Sequence, residues 1–122
     1  MNTEPKKSQF LLLLRQPASG PGPTPEQLQV IMSHFKIWMD GLRAKGAVLG
    51  TNGLEDTGTV LRGRRGASAS DGPFAESKEI VGGYVLLAAD SFDQAVEFAR
   101  DCPGLDHNLA VEVRPVRARP EA

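Results

Sequence analysis

"GGYVLLAADSFDQAVEFARDCPG", residues 82–104, holds a strand, a helix start and a helix stop in one run. Residues 82–89 form an apolar run too short for an ordinary helix, the pattern of a strand buried in a sheet. Ser91 then stands where a helix N-cap belongs, and Gln94 sits at the capping-box offset. Phe92, Ala95, Val96, Ala99 and Cys102 follow at helical spacing and define a buried stripe. Pro103 and Gly104 end the helix. Further on, "LAVEVRPV", residues 109–116, alternates apolar and polar side chains and predicts a last strand.

Upstream the same logic gives a matching half. Residues 9–15 form a continuous apolar run without helical period, a buried strand. The Pro-, Gly- and Ser-rich segment 16–27 is a long loop, a kind that often acts as a lid. Thr24 as N-cap, Pro25 at the first helical position and Gln27 at the box offset open the clearest helix. It runs from 25 to about 45 and stops at Gly46. Leu28, Ile31, Met32, Phe35, Trp38, Met39 and Leu42 share its apolar face. Val30, His34, Ile37 and Gly41 widen that face beyond one sheet contact, so a second surface covers this helix or the helix borders a pocket. Residues 47–50 and 57–65 read as short strands, and 66–74 as a loop.

The order is strand, helix, strand or hairpin, strand, helix, strand. That is the βαββαβ pattern of a ferredoxin-like α+β sandwich. Both helices cover one face of the sheet. The other face stays bare although its strands are apolar, which marks an interaction surface. A homodimer packed face to face, with a cavity between the sheets, is the economical solution.

Bulk properties narrow the function classes. The chain has 122 residues, enough to bury one core without metal or disulfide staples. The expected domain spans 9–117, with 1–8 a disordered segment and 118–122 a tail. A formal net charge of −1 argues against a nucleic-acid binder. Arg62, Arg64 and Arg65 read as a local, solvated cluster. Cys102 is the sole cysteine, so no intramolecular disulfide can form, in keeping with a reducing compartment. The apolar run 10–14 is too short for a signal peptide core or a membrane span, so a cytoplasmic protein is expected. One Cys and two distant His cannot supply a zinc site, and no phosphate loop or nucleophile elbow appears. Neither a metal nor a cofactor is expected.

Three stretches resemble the YCII-related, DGPF-type family: "SDGPFAESKEIVGGYVLLAADSFDQAVEFARDCPG" at 70–104, "FKIWMDGLRAKGAVLG" at 35–50 and "VEVRPV" at 111–116. The resemblance runs from about residue 10 to 116. Asp71-Gly72-Pro73-Phe74 followed by Glu76, Lys78, Glu79 and Gly82-Gly83 is its most specific part. It implies a ferredoxin-like fold and a dimeric α+β barrel. It also implies a link to extracytoplasmic-function sigma factors, beside which some branches are encoded. Related branches carry a His-Asp pair proposed to be catalytic; neither His34 nor His107 stands where that histidine does.

The DGPF stretch has two readings. Asp71 can cap a turn fixed by Gly72-Pro73, with Phe74 plugging the core and Glu76, Lys78 and Glu79 on the surface. Alternatively the loop crosses the mouth of the inter-sheet cavity and aims Asp71, Phe74, Glu76 or Lys78 at a small, anionic ligand. Arg114 shares a strand face with Glu112 and would join that ligand set if the face lines the cavity. Trp38 is a core residue or a ligand platform. His34 is a boundary residue or a base. The expected function is a homodimeric small-molecule-binding or regulatory module. The alternative is a cofactor-free lyase, isomerase or hydrolase in which Asp71, Glu76 or His34 moves a proton.

Overall fold

The computed structural model describes residues 7–72 and 78–118. Its chain order is β1 (Ser8–Pro17), α1 (Pro25–Ala44), β2 (Val48–Gly53), β3 (Gly58–Arg62), β4 (Ser68–Gly72), β5 (Glu79–Ala89), α2 (Phe92–Arg100) and β6 (Ala110–Pro115). β2, β5, β1 and β6 form a four-stranded sheet in that order. Every neighbouring pair is antiparallel. With β3 and β4 set aside, the four strands and two helices give the ferredoxin-like α+β arrangement. β1 begins at Ser8, inside the segment expected to be disordered. The expected tail lies, beyond Ala118, outside the described residues.

Side-chain alternation decides which face of the sheet is covered. Phe10, Leu12 and Leu14 of β1 and Val85, Leu87 and Ala89 of β5 point to the helices and are buried. Leu12, Val85 and Leu87 are wholly excluded from solvent. Trp38, Met39 and Leu42 of α1 and Ala99 of α2 complete this core. Phe10, Ala89 and Ala95 close its far end, with Phe92 tilted against Phe10 at 6.2 Å between ring centroids.

The two helices are joined by one polar contact. α2 ends at Arg100, and both Asp101 N–H and Cys102 N–H turn back to the Ala99 carbonyl. The Phe98 carbonyl is one of the groups a helix C-terminus leaves without an intrahelical donor. Trp38 supplies that donor from α1: its Nε1–H reaches Phe98 O at 2.9 Å. Phe35 meets the indole edge-on, 5.2 Å away.

Both helix starts follow the sequence pattern, one with a variation. Thr24 Oγ1 accepts from Gln27 N–H at 3.1 Å, and Gln27 Oε1 accepts from Thr24 N–H at 2.9 Å. At α2, Ser91 Oγ accepts from Gln94 N–H at 3.1 Å, but Gln94 Oε1 accepts from Asp90 N–H rather than from Ser91.

The segment read as a loop over 66–74 differs from expectation up to Gly72. Residues 68–72 form β4, which pairs with β3 from Gly58↔Gly72 to Arg62↔Ser68 as a separate two-stranded sheet. The chain reverses through Gly63, Arg65 and Gly66, all with positive φ (80°, 57° and 70°). "SASDG" has no apolar alternation, so only its backbone, paired to β3, makes it a strand.

A bulge shapes the start of β5. Pairing with β1 runs regularly from Ser8↔Ala89 to Leu14↔Gly83 and then resumes at Arg15↔Val81. Gly82 is the unpaired extra residue. A Cβ on Gly83 would lie 3.1 Å from the Asn52 carbonyl oxygen, so β2 and β5 pack closely only with glycine there.

Candidate functional site: a cavity under the first helix

The first half of α1 stands off from the sheet. Trp38, Met39 and Leu42 are buried, whereas Leu28 is 48% and Met32 57% exposed. The wide apolar arc therefore splits. Its C-terminal part packs the core, and its N-terminal part borders a cavity of about 650 Å³. Leu28, Ile31, Met32 and Phe35 form the helix wall. Leu14, Gln16, Thr51, Gly53, Gly82 and Gly83 form the sheet wall. The loop from Pro17 to Pro23 lies along one side, and Gly104 with Asp106, His107, Asn108 and Leu109 lies along another. A single 3₁₀ turn, Pro103–His107, presents the last group, ending at Asn108 in a left-handed conformation (φ 67°).

Leu109 is held against this turn. Its N–H donates to Gly104 O at 3.0 Å, and a Cβ on Gly104 would come within 2.7 Å of the Leu109 side chain. Gln16 lies over Gly82 in the same way, with its Oε1 2.5 Å from where a Cβ would be. Bare backbone at Gly82 thus leaves room for the Gln16 carboxamide at the sheet end of the cavity. Thr51 Oγ–H is committed to the Tyr84 carbonyl at 2.9 Å. Size and lining match a small-molecule pocket, which is concave, mostly apolar and furnished with few polar groups.

Those residues singled out from sequence that the structure describes lie elsewhere. Asp71 is exposed on β4, opposite Thr59. Lys78 is exposed, and its carbonyl accepts from Ala18 N–H at 3.0 Å, tying the approach to β5 onto the loop after β1. His34 is exposed on α1. Trp38 is in the core, its N–H already used. Phe74 and Glu76 lie outside the described residues. None of the described candidates lines the cavity. His107, Asp106 and Gln16 do, and nothing in their local sequence distinguishes them; the signal is indirect, a helix too apolar for one contact beside a long Gly-Pro loop.

Arg114 occupies the helix-free face of the sheet. There Leu11, Leu13, Tyr84 and Leu86 are only partly covered. Arg15 lies among them, 3.0 Å from Glu112 and 3.4 Å from Glu79. Arg114 flanks Glu112 at 3.7 Å. The Arg15 and Glu112 side chains are 41% and 36% exposed, so water screens the pair.

Among the described residues two titratable groups are displaced from their ordinary range, and neither lines the cavity. Burial pushes the Cys102 thiol up, against weaker opposing hydrogen bonds from the backbone at Gly104 and Leu105. The hydrogen bond from Lys36 holds the exposed Asp40 carboxyl down. Among the described residues no three His, Cys, Asp or Glu side chains are grouped to hold a metal ion. No helix among them is long and apolar enough to cross a membrane.

Two comparisons bear on this geometry. A family model, that of the YCII-related domain, matches residues 9–118. A protein of Rhizobium meliloti (strain 1021), described as uncharacterised, is 45% identical over 47 residues, 38% of this chain and 38% of that protein.

Proposed function

The chain belongs to the YCII-related domain family, and from that premise we propose that it is a homodimeric module that binds a small molecule in the cavity beneath α1. The observation that carries the reading is the stand-off of α1. A helix that lies on a sheet normally closes its apolar face against it. Here Leu28 and Met32 stay about half exposed over some 650 Å³ of space. The second copy covers the helix-free face, where Leu11, Leu13, Tyr84 and Leu86 form an apolar strip bordered by the charges of Arg15, Glu79, Glu112 and Arg114.

A binding role needs no activated nucleophile. In the cavity wall the titratable side chains are Asp106 and His107, and no hydrogen bond joins them among the described residues. Ile31 faces the cavity from α1, so Ile31→Trp fills the space from a partly exposed position. The variant is expected to keep the wild-type melting temperature and lose every ligand-induced thermal shift seen across a metabolite panel. Unchanged shifts in Ile31→Trp place binding elsewhere and defeat the reading. Sedimentation at micromolar concentration tests the assembly: wild type runs as a dimer and Leu13→Asp as a monomer.

A further inference from the structure

We propose that the cavity beneath α1 selects an uncharged amphiphile, an apolar chain ending in a hydroxyl or amide, and rejects the corresponding carboxylate. The inference rests on the cavity being the ligand site, and goes further by fixing the ligand's charge.

The argument starts from the ions. Among the described residues that line the cavity there is no Lys or Arg. The acid there, Asp106, would repel an anion. β1 walls the cavity and carries a cation, but Arg15 points to the opposite face of the sheet and is engaged by Glu79 and Glu112. Lys78, whose carbonyl is tied to Ala18 N–H in the neighbouring loop, is exposed and does not line the cavity. On α1, Lys36 is exposed and bound to Asp40 at 2.7 Å. With His107 neutral, a carboxylate entering the cavity would lose water without gaining a counter-charge, a large cost for an unpaired ion.

The walls then set the rest of the ligand. Leu14, Leu28, Ile31, Phe35 and Leu109 offer apolar surface from three directions. Gln16, held over Gly82, is a neutral group with both donor and acceptor, able to satisfy a hydroxyl or an amide in either sense. Ligand sites commonly combine such an apolar body with one or two orienting polar groups.

Octanol and octanoate share a chain and differ in head-group charge, so they isolate the claim. Methyl-resolved NMR titrations of the full chain are run at about pH 8, where imidazole side chains are ordinarily uncharged. They are expected to show octanol saturably shifting the Ile31, Met32 and Leu109 methyls. Octanoate should bind at least about tenfold more weakly, equivalent to roughly 1.4 kcal/mol. Gln16→Leu should weaken octanol severalfold, and Ile31→Trp should abolish its shifts. Octanoate binding at those methyls as tightly as octanol overturns the charge selection while leaving the cavity as a site. Shifts from neither probe at those methyls, or shifts that persist in Ile31→Trp, overturn the site itself and this inference with it. Full octanol affinity in Gln16→Leu removes Gln16 as the head-group partner and refutes that part of the assignment.

Discussion

Replacing Trp38 by Phe tests whether the indole is a structural tie or a ligand platform. The indole is 8% exposed and donates to the Phe98 carbonyl at 2.9 Å. In Trp38→Phe that carbonyl loses its donor at the end of α2, a loss of about 1–3 kcal/mol for a poorly solvated group. The smaller ring gives up roughly 1 kcal/mol more of apolar burial. The total is about 2–4 kcal/mol, and for a chain of this size that is a fall in melting temperature on the order of 10 °C. Far-UV circular dichroism is the appropriate probe, because Trp38 is the sole tryptophan and its fluorescence vanishes in the variant. A benzothienyl-alanine at position 38 keeps the bicycle and removes only the N–H; it should retain the packing part and lose the carbonyl part. Octanol affinity, measured below the melting transition, should not change, because Trp38 does not line the cavity. A melting temperature within about 2 °C of wild type would refute the tie, since even the smallest sum of its two parts exceeds that.

Two neighbouring glycines should respond differently. Gly83→Ala sets a Cβ against the Asn52 carbonyl at 3.1 Å, a backbone contact that cannot swing aside; urea denaturation should read a loss of about 1–3 kcal/mol. Gly82→Ala meets only the Gln16 side chain, which can rotate, so its cost should stay near about 0.5 kcal/mol while octanol binding weakens. Cys102 should resist iodoacetamide until the protein unfolds, as burial keeps its thiol protonated. Its pKa is raised in the folded state, so its contribution is intact at neutral pH and is lost as pH climbs past the unfolded thiol's value of about 8.5. Urea midpoints should therefore fall less steeply with rising pH in Cys102→Ala than in wild type. Asp71→Asn, on the exposed hairpin, should leave stability within about 0.5 kcal/mol by the same assay; a larger loss would support the turn-capping reading.

What can be read from the sequence is local. The strand of 9–15, both capped helices, the apolar run of 82–89 and the alternating last strand each carry their own periodicity or cap, and each forms. The placing of Glu112 and Arg114 on one face follows from strand alternation and holds. β4 is illegible because Ser68, Ala69 and Ser70 carry no side chain that a buried face would require. The cavity is hidden for a different reason. It is assembled from Gln16, Ile31, Gly82 and His107, residues brought together only by the tertiary fold. The width of the α1 apolar arc shows that something other than the sheet meets this helix, but not which half. The helix end that carries Trp38 is pinned by α2, so the gap opens at the other end.

The bulge at Gly82 reverses the facing of everything before it in β5. Were Gly82 paired like its neighbours, the pleat would carry Glu79 and Val81 toward the helices and send Ile80 outward. With Gly82 set aside, Glu79 emerges beside Arg15 on the uncovered side. One silent position in the pleat therefore keeps an acid out of the greasy interior and gives Arg15 a second counter-ion. A chain one residue shorter at this point could keep the same outward acid on a straight strand. Sequences aligned across it without a gap would then match side chains that look in opposite directions.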